Sequence, residues 1–148
     1  MTHRYIGTKE VIAWEQVDKH GEIGYAVKYA DGYTSWSPKA AFEAAYRTSE
    51  PGMEQSLTFG DALYYLKLGK RVARTGWNGR GMWLQYVSGR NVQIHDMGFG
   101  PINEHDHDWR ERVPAMLPWI GMKTADNKFV PWLCSQADML ESDWCVLA

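Results

Sequence analysis

The sequence is poor in the features by which many functional classes are recognised. It has only two cysteines, Cys134 and Cys145, with no further pair to frame a zinc site or a disulfide network. No run of apolar residues approaches the ~20 needed to cross a bilayer as a helix, and the start Met1-Thr2-His3-Arg4-Tyr5 lacks the basic-then-apolar profile of a signal peptide. A reducing cytoplasm with both thiols free is therefore expected, the thiols serving as packing groups. Charge of one sign is also missing. A net charge of −2 and a pI near 6.2 argue against a general DNA or RNA binder, which normally carries a basic face to displace counterions. A small anionic ligand, which needs only a few local cations, is not excluded. No Walker loop, Rossmann fingerprint, nucleophile elbow or Ser-His-Asp order occurs. There is no internal repeat and no low-complexity tract.

Aromatic residues are abundant instead. Eight Trp and eight Tyr stand in 148 residues, a set of amphipathic rings usually spent on cores, interfaces and stacking sites. At 45% hydrophobic and 23% charged residues, the chain has the composition of a globular protein. Its length suits one ordinary domain or two very small units.

The patterning predicts an α+β fold of small antiparallel sheets, each packed by one or two short helices. Residues 1–50 read as a β-β-β-α module. Its strands are expected over 4–14, 25–29 and 33–36, with the hairpin turn at Asp31-Gly32 and a helix over 38–46 capped by Ser37 with Pro38 at its first position. Residues 51–56 carry a Pro-Gly break and read as a linker. In the remaining domain, 57–148, Thr58 and Asp61 form a capping box ahead of a helix whose apolar stripe is Phe59, Ala62, Leu63, Leu66 and Leu68. Gly69 closes that helix. Strands follow over 70–74, 82–87, 119–124 and 128–130, the last two joined by a turn at Asp126-Asn127. A short helix capped by Ser135 and a final strand over 143–147 complete the chain. Residues 90–114 hold no periodicity and read as a long irregular loop.

The second half is organised around residues 74–83, Arg-Thr-Gly-Trp-Asn-Gly-Arg-Gly-Met-Trp. Gly76, Gly79 and Gly81 permit tight turning and close approach, Trp77 and Trp83 present flat rings, and Arg74 and Arg80 present forked donors. Surfaces that hold nucleotides are built of such parts, and so are turns whose tryptophans anchor a core. Both readings stand on composition alone.

With the neighbouring pieces Leu57-Thr58-Phe59-Gly60-Asp61-Ala62-Leu63, Gly69-Lys70-Arg71-Val72-Ala73-Arg74, Gly76-Trp77-Asn78-Gly79-Arg80-Gly81-Met82, Met122-Lys123-Thr124-Ala125-Asp126, Val130-Pro131-Trp132, Ser135-Gln136-Ala137-Asp138 and Asp143-Trp144, the stretch from residue 56 to 148 resembles the second Thoeris anti-defence family of phage and prophage proteins. The resemblance implies no catalysis and no cofactor. It implies a sponge that sequesters a cyclic ADP-ribose isomer, the alarm signal of bacterial Thoeris defence. In some members cyclic di- or trinucleotides are held at a separate site. It further implies a homo-oligomer, typically a tetramer, with pockets between subunits. The module at 1–50 is similar to a short module of other phage proteins and has no activity assigned by the resemblance.

Carried onto this chain, the resemblance nominates a ligand-binding set. Trp77 and Trp132 would stack on the purine, and core packing is their equal alternative. Asn78 would read a purine edge or ribose hydroxyl, or else simply form the turn before Gly79. Arg74, Arg80 and Lys123 are candidates for a pyrophosphate, and Met82 belongs to the same matching piece. Asp138 and Ser135 would accept from ribose hydroxyls or an adenine amine, or else cap the short helix. Trp144, Leu63 and Phe59 are assigned to the core. Two rivals remain. One is a metal-assisted phosphodiesterase using His105, His107 and Asp108, a cluster that reads better as a polar surface loop. The other is a virion or host protein-interaction module presenting the Trp/Tyr-rich surface.

Overall fold

The computed structural model describes residues 2–77, 79–89 and 116–148. Asn78, the stretch read as a long loop at 90–114, and with it His105, His107 and Asp108, lie outside the described residues. The chain divides into two compact units, Met1–Thr48 and Ser49–Ala148, an antiparallel sheet with one short helix and an antiparallel sheet with two, so the fold is α+β.

The first unit grows from two side-chain-locked turns. Asp18 Oδ1 accepts from the backbone N–H groups of His20 and Glu22, both at 2.8 Å, and so fixes the turn between β1 (Ile12–Val17) and β2 (Ile23–Lys28). Pairing runs outward from Val17↔Ile23 to Ile12↔Lys28. Asp31 repeats the device by accepting from Tyr33 N at 2.9 Å, and β3 (Thr34–Pro38) returns along the other side of β2. Helix α1 (Lys39–Ala45) lays Phe42 on the Tyr25 ring at 4.3 Å and against Tyr46 at 4.8 Å. The Trp36 ring lies across Gly24, and its indole N–H donates to the Gln16 carbonyl at 3.2 Å.

Two expectations for this unit are corrected. The first strand does not occupy 4–14: residues 2–11 form no strand, and Tyr5 and Ile6 are almost wholly exposed. The turn at Asp18 sets the register, so the six residues facing β2 are those nearest the turn. Ser37 does not cap α1 either. The ladder runs on past Ser37 to Pro38, which pairs with Gly24, so the helix begins one residue later and Pro38 becomes the N-cap, with no side-chain cap bond.

In the second unit α2 (Phe59–Lys67) is set by its capping box: Thr58 Oγ1 accepts from Asp61 N at 3.3 Å, and Asp61 Oδ2 accepts from Thr58 N at 2.9 Å. Gly69, just past its end, takes φ 81. The sheet has the order β7-β6-β5-β4-β8, all antiparallel, with β4 (Val72–Arg74), β5 (Trp83–Val87), β6 (Trp119–Lys123), β7 (Phe129–Pro131) and β8 (Trp144–Val146). Asn127, at φ 62, makes the β6–β7 turn. Helix α3 (Gln136–Leu140), with Ser135 as its N-cap, precedes β8.

One face of the sheet, carrying Val72, Leu84, Trp144 and Val146, packs on Ala62, Tyr65 and Leu66 of α2 and on Leu57. The opposite face carries Trp83, Trp119 and Phe129, and the Phe129 ring lies over Gly121. Leu57 extends the sheet beyond β8 through a reciprocal bridge with Trp144: each N–H donates to the other's carbonyl, at 3.0 and 3.1 Å. Gln55, inside the segment read as a linker, is buried. Its side-chain amide donates to the carbonyls of Glu50 and Val146, and its Oε1 accepts from Val146 N at 2.9 Å.

The stripe predicted for α2 is shifted. Tyr65 is buried and belongs to the core, Leu63 is half-buried, and Leu68 is 55% exposed because the helix has already ended at Lys67. The two leucines Leu66 and Leu68 thus separate the packing from the pattern. Leu66→Ala is expected to lower the unfolding free energy by about 2–5 kcal/mol, and Leu68→Ala to stay within about 0.5 kcal/mol of wild type. Denaturant melts of both variants check this.

Candidate ligand-binding site

Trp144 is the residue around which the candidate site is assembled. Its side chain is fully buried, and its indole N–H donates to the main-chain carbonyl of Asp138 at 2.9 Å. Three rings surround it: Phe59 with its centroid at 5.4 Å, Trp77 edge-on at 5.6 Å and Trp132 edge-on at 6.1 Å. Trp77 arrives shortly after the end of β4, Trp132 directly after β7, and Phe59 at the first turn of α2. Trp77 and Trp132 are half-buried, so each packs on the core while keeping part of its surface in solvent.

Arg74 ties this aromatic group to two carboxylates. Its Nε donates to Asp143 Oδ1 at 2.6 Å and its Nη2 to Asp143 Oδ2 at 3.2 Å, a two-pronged pair, while Nη1 donates to Asp138 Oδ1 at 2.8 Å. The chain follows closely: Gly76 N donates to Asp143 Oδ2 at 2.9 Å, and Thr75 N to the Asp143 carbonyl at 3.0 Å. A Cβ on Gly76 would fall 2.6 Å from Asp143 Oδ2, so the approach requires glycine. Asp138 is shared further. Its Oδ1 also accepts from the Trp77 indole N–H at 3.0 Å, and its Oδ2 accepts from the Ser135 hydroxyl at 2.7 Å. Ser135 Oγ in turn accepts from Asp138 N at 3.0 Å as the cap of α3.

The electrostatics follow from these contacts. Burial pushes the Asp138 carboxyl up, but the donors Ser135, Trp77 and Arg74, with the charge of Arg74, outweigh it and hold it at about 2. The Arg74 guanidinium likewise holds Asp143 below the usual carboxylate range, against an opposing effect of burial and with help from Gly76 N–H. Asp143, against burial and then joined by Asp138, raises Arg74 above its ordinary value. One guanidinium against two carboxylates leaves the group with a net charge of −1. The thiols are not activated, since burial raises both Cys134 and Cys145.

The remaining nominated residues form a second group, at the far side of the same turn. Met82 covers Gly79, where a Cβ would run into its thioether and into Ala125. Lys123 projects from the sheet face opposite Trp144 and donates to the carbonyls of Gly81 at 3.0 Å and Thr124 at 3.3 Å. Arg80 is exposed, with no ion pair among the described residues. The structure thus brings together Arg74, Trp77, Trp132, Ser135 and Asp138, and separately sets Met82 against Gly79 and Lys123 against Gly81, the two neighbours of the exposed Arg80. Asn78 lies outside the described residues. Asp143, absent from the nominated set, completes the Arg74 group; its one signal in the sequence was its place beside Trp144 in a matching motif. Among the described residues, no three His, Cys, Asp or Glu side chains are grouped so as to hold a metal ion, and no helix is long and apolar enough to cross a membrane.

Comparison with known proteins bears on the same unit. The model of the Thoeris anti-defense 2-like (Tad2-like) domain matches residues 57–147. The chain is also 38% identical over 96 residues to the Thoeris anti-defense 2 protein of Bacillus phage SP01, an alignment covering 65% of this chain and 100% of the phage protein.

The carboxylate network sets a pH dependence. Both aspartates have depressed values in the folded chain, so their stabilisation is present above the ordinary carboxylate value and is lost as pH falls towards the folded one. Thermal melts between about pH 5 and pH 2 are expected to show a falling melting temperature in the wild type. Asp138→Asn and Asp143→Asn should start lower and fall less across that window. A parallel decline in all three proteins would refute the assignment.

Proposed function

The chain belongs to the Thoeris anti-defense 2-like family, and on that premise we propose that it counters Thoeris defence by binding a cyclic ADP-ribose isomer and holding it without degrading it. The observation that carries the proposal is the family match over residues 57–147, which takes in every nominated residue. In this reading the protein acts in the cytoplasm of the infected bacterium as a homo-oligomer, a tetramer, whose pockets are completed by a second copy. The mechanism is mass action. Slow release keeps free signal below the threshold of the effector, so copies of the protein must at least match copies of the signal.

The two groups of side chains divide the work. Trp77 and Trp132 offer the solvent-facing parts of their rings to the base, a contact worth roughly 1–3 kcal/mol per base. The pyrophosphate cannot favourably approach the Arg74–Asp138–Asp143 group, whose net charge is negative and whose guanidinium is already engaged on both sides. The phosphates therefore lie towards Arg80 and Lys123, and Arg74 serves as the tie that holds the turn. Asn78 is the proposed reader of a base edge or ribose hydroxyl.

The test is calorimetric or thermal-shift titration with cyclic ADP-ribose isomers, cyclic di- and trinucleotides and linear ADP-ribose, followed by denaturation and chromatography. Tight binding with intact recovery is expected. A converted product would make the protein a phosphodiesterase, and no binding across the panel would favour a protein-interaction module. Within the same assay, Arg80→Gln is expected to weaken binding about tenfold and flatten its salt dependence, with an unchanged melting temperature. Trp132→Ala is expected to lose both ligand and stability, because its ring also packs on Trp144 and Phe59.

A further inference from the structure

Asp138 gathers the N–H groups of two indoles: its carboxylate takes that of Trp77 and its main-chain carbonyl takes that of Trp144. These two rings stand edge to face, with an interplanar angle of 76°. We infer that Asp138 is a positioning residue of the proposed site: it fixes the plane of the Trp77 ring from behind and acts on the ligand through that ring rather than by touching it. The inference rests on the proposed stacking role of Trp77.

The lone pairs of the carboxylate carry the argument. An ionised carboxylate offers about four acceptor positions. Oδ1 accepts from Arg74 Nη1 and from Trp77 Nε1, and Oδ2 accepts from Ser135 Oγ. Its side chain is only 15% exposed, so there is little surface through which a ribose hydroxyl could reach the remaining position. The Trp77 indole, by contrast, has one polar atom, and that atom is spent on Asp138. The ring also packs against Trp144, which leaves it held at two points. A half-buried indole could otherwise turn about its χ2 torsion, which is broad and roughly two-fold. With the N–H anchored to a residue of α3, only one of those orientations keeps its hydrogen bond. A stacking ring held in its bound orientation loses less freedom when the ligand arrives.

The role is separable from mere stability. A double-mutant cycle in the full-length protein, titrated with a cyclic ADP-ribose isomer, compares wild type, Asp138→Asn, Trp77→Phe and the double variant. The Trp77→Phe variant retains an aromatic ring but offers no N–H for Asp138 to hold. We expect Asp138→Asn to weaken binding about five- to tenfold in the wild-type background and less than about twofold in the Trp77→Phe background. Equal losses in both backgrounds, or no loss from Asp138→Asn, would overturn the inference. If Trp77→Phe removes binding altogether, the indole ¹⁵N–H resonance of Trp77 decides. An upfield shift and faster exchange in Asp138→Asn support the role, and an unchanged resonance rejects it. Failure of the wild type to bind any probe defeats the sponge reading itself, whereas wild-type binding with multiplying losses defeats only the role of Asp138.

Discussion

The second unit depends on the complete burial of one indole. Trp144 brings a large apolar ring into the centre of a small sheet, and such a ring is stable there only if its N–H is paired. The Asp138 carbonyl pairs it, which obliges α3 to lie just where the chain enters β8. The backbone of Trp144 is constrained on both sides as well, by Arg74 of β4 and by Leu57. Phe59, Trp77 and Trp132 then take their places from the shape of that ring. Helix, strand end and turn are therefore located by a single side chain.

This arrangement explains why core packing and ligand contact were both defensible for Trp77 and Trp132. Each ring has one part against Trp144 and another part open, so packing and the proposed stacking draw on different parts of one side chain. The polar residues show the same double use. Ser135 and Asp138 cap α3, as the pattern Ser-Gln-Ala-Asp allows, and the same carboxylate also receives Arg74 and Trp77 from a strand and turn more than sixty positions earlier in the chain. A cap is written in four consecutive residues, whereas the long-range bonds depend on sheet order.

What was legible in the sequence follows the same division. The capping box at Thr58 and Asp61, the glycine after α2, the turn at Asp126-Asn127 and the cap at Ser135 are all local and appear where the residues place them. The antiparallel α+β class was legible for the same reason. Non-local effects were not. The first strand begins at Ile12 because Asp18 fixes the turn, not because residues 4–11 are unsuited to strands. Ser37 does not cap α1 because the ladder runs on past it to Pro38, which pairs with Gly24. Asp143 meets Arg74 across two neighbouring strands, and no spacing rule links them. For the candidate site, residue types were readable from composition and motif, but their grouping into two clusters followed only from the fold. The net negative charge of one cluster likewise depends on which carboxylates the fold brings to Arg74.

Gln55 imitates a strand. Its side-chain amide donates to the carbonyl of Val146 and accepts from the N–H of the same residue, as a neighbouring backbone would. With Leu57 bridged to Trp144, it occupies the outer rim of β8, where an open row of donors and acceptors would otherwise invite a foreign strand. The opposite rim, β7, is three residues long and ends in Pro131, which has no N–H to offer. The five-stranded sheet is thus closed to lengthening at one rim and discouraged at the other. At high concentration such a sheet resists edge-to-edge aggregation, which leaves its faces and side chains, not open strands, as the surfaces on which another molecule can dock.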